Sequence, residues 1–191
     1  MEDIEIIDLN PENIAKYGVC GYKDAHKHVE LRKKIEWFAE YYPKGLRIKA
    51  LISKTGGYQG MIEYIPGKYA HRPVDAEGFL FIHCLVVGFK KEFKVKGFAT
   101  LLIDECVKDA RKNKMFGVAV VTRKGSFMAD NNIFLKNGFH IVDNAKPDFE
   151  LLAMDVQEYR ENILFASFEE ETKPDRNNNY HDSNTTALTE D

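Results

Sequence analysis

Seven residues, Lys94-Val95-Lys96-Gly97-Phe98-Ala99-Thr100, separate an almost wholly apolar run, Phe79 to Val87, from a helical pattern that opens at Gly97. A glycine turn that starts a helix leaves several backbone N–H groups without intrahelical partners, at the positive end of the helix dipole. Such a turn suits a phosphate or pyrophosphate and implies a nucleotide-like cofactor. Lys90, Lys91, Lys94 and Lys96 crowd its approach, which favours a polyphosphate. Lysine clusters are nevertheless most often plain solvated loops.

The apolar run carries two further groups with chemistry, His83 and Cys84. On a regular strand Phe79, Phe81, His83, Leu85 and Val87 share one face, and Leu80, Ile82, Cys84 and Val86 the other. Histidine, with a reference pKa of about 6.5, suits proton transfer near neutrality, so His83 reads as a base or as a hydrogen-bonded core residue. Cys84 reads as a small buried hydrophobe or, with a lowered pKa, a nucleophile. Cys106 falls on an apolar helical stripe and reads as core. His26 and His28, two apart in an expected helix, cannot share a face, so no metal site is expected there. There is no Gly-x-Ser-x-Gly and no Cys-x-x-Cys string to suggest a hydrolase or a redox site.

The elements that must hold these groups follow from periodicity. Residues 3 to 8 read as a strand, and Pro11 to Asn13 as a turn. Lys23 to Tyr42 reads as a helix stopped by Pro43-Lys44-Gly45. Leu46 to Ser53 and Tyr58 to Ile65 read as a hairpin turning at Lys54 to Gly57, with Leu46, Ile48, Ala50 and Ile52 on one face. Lys68 to Gly78 is irregular. After the Phe79 to Val87 strand come a helix over Gly97 to Asn113, a strand over Gly117 to Thr122, and a helix over Met128 to Asn137 closed by Gly138. Phe139 to Val142 and Phe149 to Met154 complete the pattern as a hairpin. The order mixes antiparallel pairs with one parallel crossover, an α/β (α+β) arrangement.

With 191 residues and 44% apolar content, the chain has enough material for one substantial core. It lacks a run of about 18 apolar residues, and its acidic start is unlike a secretory signal, so no membrane partner is expected. Three cysteines without metal-type spacing point to a reducing cytoplasm. Residues 169 to 191 hold seven acidic groups against Lys173 and Arg176, leaving residues 1 to 168 mildly basic at +2 of the chain's net −3. Three segments follow: a domain over 1–156, an extension over 157–168, and an acidic, Asn-rich tail over 169–191 that reads as disordered. The tail is also a candidate interaction segment for a basic partner.

The glycine turn is neither a P-loop nor a dinucleotide fingerprint, because each needs glycines that are absent here. Lys94-x-x-Gly97-x-Ala99, the strand Gly117 to Thr122, and Ile133-Phe134-Leu135-Lys136-Asn137-Gly138-Phe139 together resemble the GNAT superfamily of acetyl-CoA-dependent N-acetyltransferases. The resemblance covers roughly residues 3 to 156. Ile82-His83-Cys84 and Ile62 to Gly67 further resemble a YoaP-like branch of that superfamily.

The resemblance implies a mixed, mostly antiparallel central sheet flanked by helices. It also implies acetyl transfer from acetyl-CoA to a primary amine, on a small molecule or a peptide and not on nucleic acid. Cofactor contacts are expected from Leu85, Val86, Val87, Lys94, Val95, Lys96, Gly97, Phe98, Ala99, Thr100, Asn132 and Phe134. The catalytic candidates are His83 and Cys84. The family's usual tyrosine, which reprotonates the thiolate, falls at Phe134, and its upstream asparagine at Phe127; Ser126, Asn132 or a water is left as the acid. This departure keeps open a non-catalytic acyl-CoA sensor. Glu63, Tyr64, Tyr69, His71 and Arg72 flank a loop that reads as acceptor lining or as ordinary surface.

Overall fold

The computed structural model describes residues 4–19, 22, 24, 26–55, 57–88, 97–124 and 128–156, and the backbone of 164 and 165. Seven strands form one sheet: β1 (Ile4–Asp8), β2 (Arg47–Ser53), β3 (Gly57–Pro66), β5 (Phe79–Val87), β6 (Gly117–Arg123), β7 (His140–Ala145) and β8 (Phe149–Asp155). Their order is β1-β2-β3-β5-β6-β8-β7, antiparallel throughout except for the parallel pair β5–β6. The expected mixed, mostly antiparallel sheet with flanking helices is what the chain forms. The irregular stretch before β5 holds a 3-10 turn, Gly67–Tyr69, and a two-residue strand, β4 (Val74–Asp75), which pairs with β9 (Leu164–Phe165). The rest of the extension and the whole acidic tail lie outside the described residues.

Among the described residues, α1 (Ile14–Tyr17) and α2 (Val29–Tyr41) cover one half-face, while α3 (Phe98–Lys112) and α4 (Asn131–Lys136) cover the opposite face. The α3 stripe reads as expected: Phe98, Ala99, Leu102, Ile103, Cys106, Val107 and Ala110 are all buried. They pack on Leu51, Ile62, Leu80, Ile82, Val118, Val120 and Leu152, each fully buried large side chain being worth roughly 1.5–3 kcal/mol of hydrophobic stabilisation. Helix α2 buries Leu31 and Phe38 against Ile48, Ala50, Met61 and Ile65. It begins at Val29, later than the expected helix, so His26 and His28 belong to the approach to the helix and not to its body. At its other end a 3-10 turn through Pro43, closed by Gly45 in the left-handed region, stops the helix, as expected. Among the described residues no helix is long and apolar enough to cross a membrane.

Candidate active site

The site is made by two departures from regular pairing, both on β5. The first is where β5 leaves β6. Their parallel pairing runs only from Phe79–Gly117 to Ile82–Val120. Beyond it β6 continues alongside β8 as far as Arg123, and β5 continues alongside β3 as far as Val87. The two strands therefore diverge, and a cavity of about 200 Å³ opens between them. Ile82, His83, Cys84, Leu85 and Val86 line one side, Val120 and Val121 the other, with Met128, Ala129 and Phe134 closing it and Arg72 beside it.

The second departure is a bulge. Glu63 faces Cys84 and Tyr64 faces Ile82, so His83 is the extra residue on β5. A bulge of one residue inverts the alternation after it. Leu85 and Val87 accordingly join Leu80 and Ile82 on the α3 face, whereas Cys84 and Val86 turn toward α2. The regular-strand reading, with Leu85 and Val87 beside Phe79 and Cys84 opposed to His83, is corrected here. Periodicity of two holds only for an unbroken strand, and one extra residue has no signature in a uniformly apolar run.

The turn at Gly97 caps α3 with φ +77°, and no atom lies within 4 Å of where a Cβ would be. Glycine is thus required by backbone conformation and not by crowding. The first helical bond runs from the Leu101 N–H to the Gly97 carbonyl. Phe98 and Leu102 anchor this turn in the same core on which Leu85 and Val87 pack, joining it to the end of β5. Ala99 is buried and Thr100 half-buried. Lys94, Val95 and Lys96 lie outside the described residues, as do Lys90, Lys91, Ser126 and Phe127.

Phe134 is fully buried, edge-on to Phe139 with ring centroids 5.3 Å apart. It forms the cavity's floor as an apolar group and has no proton to give. Asn132 is exposed and bonded to Asp130, whose side chain caps α4 by accepting from the Asn132 N–H at 2.8 Å. It does not line the cavity. Asn131 instead fixes the helix, donating to Glu150 Oε2 at 2.6 Å.

His83 is held on both sides. Its Nδ1 is 3.5 Å from Glu63 Oε1, and its Nε2 accepts the His71 backbone N–H at 3.0 Å. Glu63 is buried on β3, with Lys34 Nζ of α2 at 2.6 Å from its other oxygen. Burial pushes this carboxyl up, but the His83 hydrogen bond and the Lys34 ammonium outweigh it and hold the carboxyl below the usual glutamate range. Trp37, His71 and Phe81 surround the imidazole, the His71 ring centroid 5.4 Å and that of Phe81 5.6 Å away, and Tyr41 packs edge-on against the His71 ring. Of the loop candidates, Glu63, His71 and Arg72 come to the site. Tyr64 and Tyr69 line a larger cavity of about 590 Å³ toward the C-terminal end of α3, with Lys68, Arg47 and Asp109. The sequence reading overlooked Lys34, and Glu63 as a partner of His83. The available signal was a single carboxylate inside the apolar run Met61 to Ile65.

No protein-family model matches the chain. Solved structures superpose on it closely in architecture: YncA of Salmonella typhimurium with its cofactor acetyl-CoA, at TM-score 0.57 and 10% identity, covers 83% of this chain and 97% of its own. PaiA N-acetyltransferase of Thermoplasma acidophilum, in complex with coenzyme A, gives 0.54 at 15% identity, covering 80% and 99%. The fold is that of the GNAT acetyltransferases. Along the sequence, the chain is 28% identical over 151 residues to YoaP of Bacillus subtilis (strain 168), an uncharacterised N-acetyltransferase, covering 78% of this chain. It spans 58% of that relative's length, less than two thirds. The GNAT resemblance read from the glycine turn and from Asn137-Gly138-Phe139 therefore holds for the fold, and the YoaP-like likeness is borne out as a similarity along the sequence.

Proposed function

We propose that this chain transfers an acetyl group from acetyl-CoA to a primary amine by direct attack on the thioester. The divergence of β5 from β6 beside the Gly97 turn is the observation that carries the reading. It leaves the β5 edge after Ile82 without β6, so main-chain groups there are available to an extended amide-bearing arm. The apolar walls suit a thioester end. The amides at the start of α3 suit a pyrophosphate. The residues present thus fit acetyl-CoA, which when bound would supply an activated acyl carbonyl. The structures of YncA with acetyl-CoA and of PaiA with coenzyme A support the same donor.

The protein's own contribution is positioning and proton transfer. An amine reaches the site as ammonium and must lose one proton before its nitrogen can attack. His83 takes that proton on Nε2 once the His71 amide has moved aside. The C–N bond forms, the C–S bond breaks, and the second proton shed by the nitrogen leaves with the thiol. His83 then returns its proton to solvent. Replacing His83 by Ala should lower turnover by about 100-fold, within the usual range for a general base, with acetyl-CoA affinity almost unchanged. Unaltered turnover would remove it from the mechanism. Cys84 lines the same cavity and would be the nucleophile of a covalent route. Initial-rate lines that intersect support direct attack; parallel lines would give the reaction to Cys84.

Acetyl-CoA binding is tested by isothermal titration, and no heat at millimolar concentration would overturn the proposal. Phe134, buried where a hydroxyl would be wanted, favours a second reading as an acyl-CoA sensor that binds without turnover. Thiol release against a panel of small-molecule and peptide amines separates the two. The cysteine usage supports a reducing cytoplasm.

A further inference from the structure

The bulge at His83 leaves its imidazole between a carboxylate and a peptide N–H, and that arrangement assigns a role to a residue on a different strand. We infer that Glu63, paired with Lys34, is the positioning residue that fixes His83 as its Nδ1–H tautomer and keeps the Nε2 lone pair as the proton acceptor. The inference rests on the acetyltransferase reading for its catalytic consequence, while the tautomer itself does not.

The buried Glu63 charge must be balanced by its neighbours. Glu63 has a side chain only 4% exposed in the middle of a sheet, where an unpaired carboxylate would be very costly. Its two oxygens divide between partners: Oε2 meets the Lys34 ammonium at 2.6 Å, and Oε1 faces His83 Nδ1 at 3.5 Å. An ionised carboxylate only accepts, so the nitrogen beside it must carry the proton. The His71 N–H only donates, so Nε2 must carry the lone pair. Two independent neighbours thus demand the same tautomer. Glu63 is also placed to stabilise the imidazolium that forms when His83 takes a proton, through a gap of 3.5 Å that a positive charge would close.

The His71 amide adds a cover. It occupies the lone pair in this state, and the same 71–72 loop brings Arg72 to the cavity. Proton uptake from the acceptor requires this amide to move from Nε2. The charged and titratable groups around the imidazole are Glu63 from β3 with Lys34 of α2 on its other oxygen, His71 and Arg72 from the loop, and Cys84 on β5; Glu40 and Tyr41 of α2 act on His71. Glu63 is the group that meets Nδ1.

Nitrogen NMR of histidine-labelled full-length protein, without acetyl-CoA, tests the assignment directly. The wild type should show His83 protonated at Nδ1 and lone-paired at Nε2; the reverse assignment overturns the inference whatever the variants do. Glu63→Leu removes the acceptor and should release His83 to mixed tautomers, while Glu63→Gln keeps an acceptor oxygen and the tautomer. In kinetics Glu63→Leu should lose about 10- to 100-fold in kcat with the acetyl-CoA KM held, and Glu63→Gln should recover part of the loss. An unmoved tautomer in Glu63→Leu, or a Glu63→Gln variant that recovers none of the lost kcat, sinks the proposal. A wild type that shows the tautomer but releases no thiol with any amine overturns the acetyl-transfer reading and Glu63's catalytic role with it.

Discussion

The Tyr64 hydroxyl on β3 donates to the Asp109 carboxylate on α3, tying the sheet to the helix whose first turn is the proposed pyrophosphate cradle. Burial pushes the Tyr64 hydroxyl far above its usual range, with neighbouring Cys106 and Asp109 adding to the effect, so it remains a donor at any accessible pH. Lys49 completes the clasp, its buried ammonium 2.9 Å from Asp8, 3.4 Å from Glu105 and 3.5 Å from Asp109. Tyr64→Phe should cost about 1–2 kcal/mol, seen as a Tm lower by roughly 2–8 °C. Lys49→Met should cost a similar amount, since the carboxylates it leaves behind reach water. A double variant costing less than the sum of the two would show that the three groups act as one network. Strict additivity would show that they do not.

Gly97 separates conformation from space. Its φ of +77° is unfavourable for a side chain, yet a Cβ there would meet nothing within 4 Å. Gly97→Ala should therefore destabilise by about 1 kcal/mol through the backbone alone, and Gly97→Asn by less, because asparagine tolerates this region. If the turn cradles a pyrophosphate, CoA affinity should fall in the order Gly, Asn, Ala. Equal affinities in all three would detach the turn from cofactor binding.

The sequence made the helix α3 legible because seven buried residues repeat at helical spacing from Phe98 to Ala110. It made β2 legible because Ile48 and Ala50 alternate with Lys49 and Leu51 across its two faces. Strand β5 was legible in extent and misread in orientation, since nothing in Phe79 to Val87 distinguishes a bulge from a regular strand. The partnership of Glu63 with Lys34 and His83 joins three elements that are distant along the chain. It depends on the β3–β5 register and on where α2 crosses the sheet, and neither is encoded by local spacing. Phe134 lines the splay cavity, and its full burial comes from packing in the α3-side core, edge-on to Phe139, which local spacing does not encode.

The two described thiols should differ sharply in reactivity. Cys106 is fully buried, and burial pushes its thiol well above the usual range, with Asp109 adding to the rise. Cys84 is half-buried and lines the splay cavity. Mass spectrometry of native protein treated with iodoacetamide should find Cys84 modified long before Cys106. Added CoA should slow the modification of Cys84 and leave that of Cys106 unchanged. Modification of Cys84 at the same rate with saturating CoA would argue that CoA does not occupy this cavity.

Stability in acid should report on Glu63. Its carboxyl lies below the usual range in the folded chain because the His83 hydrogen bond and the Lys34 charge outweigh burial. A carboxyl with a depressed folded pKa binds more protons when unfolded, so stability rises with pH across that window. The contribution is complete above the unfolded glutamate value, about 4.3, and is lost as pH falls through the folded value. Wild-type Tm should therefore drop more steeply than that of Glu63→Gln from about pH 4.5 downward. At neutral pH the variant should be the less stable of the two, and the gap should narrow on acidification as the wild-type carboxyl takes up its proton. Thermal scans by circular dichroism across this range decide the matter. Parallel curves would mean that Glu63 gains nothing from its two partners on folding.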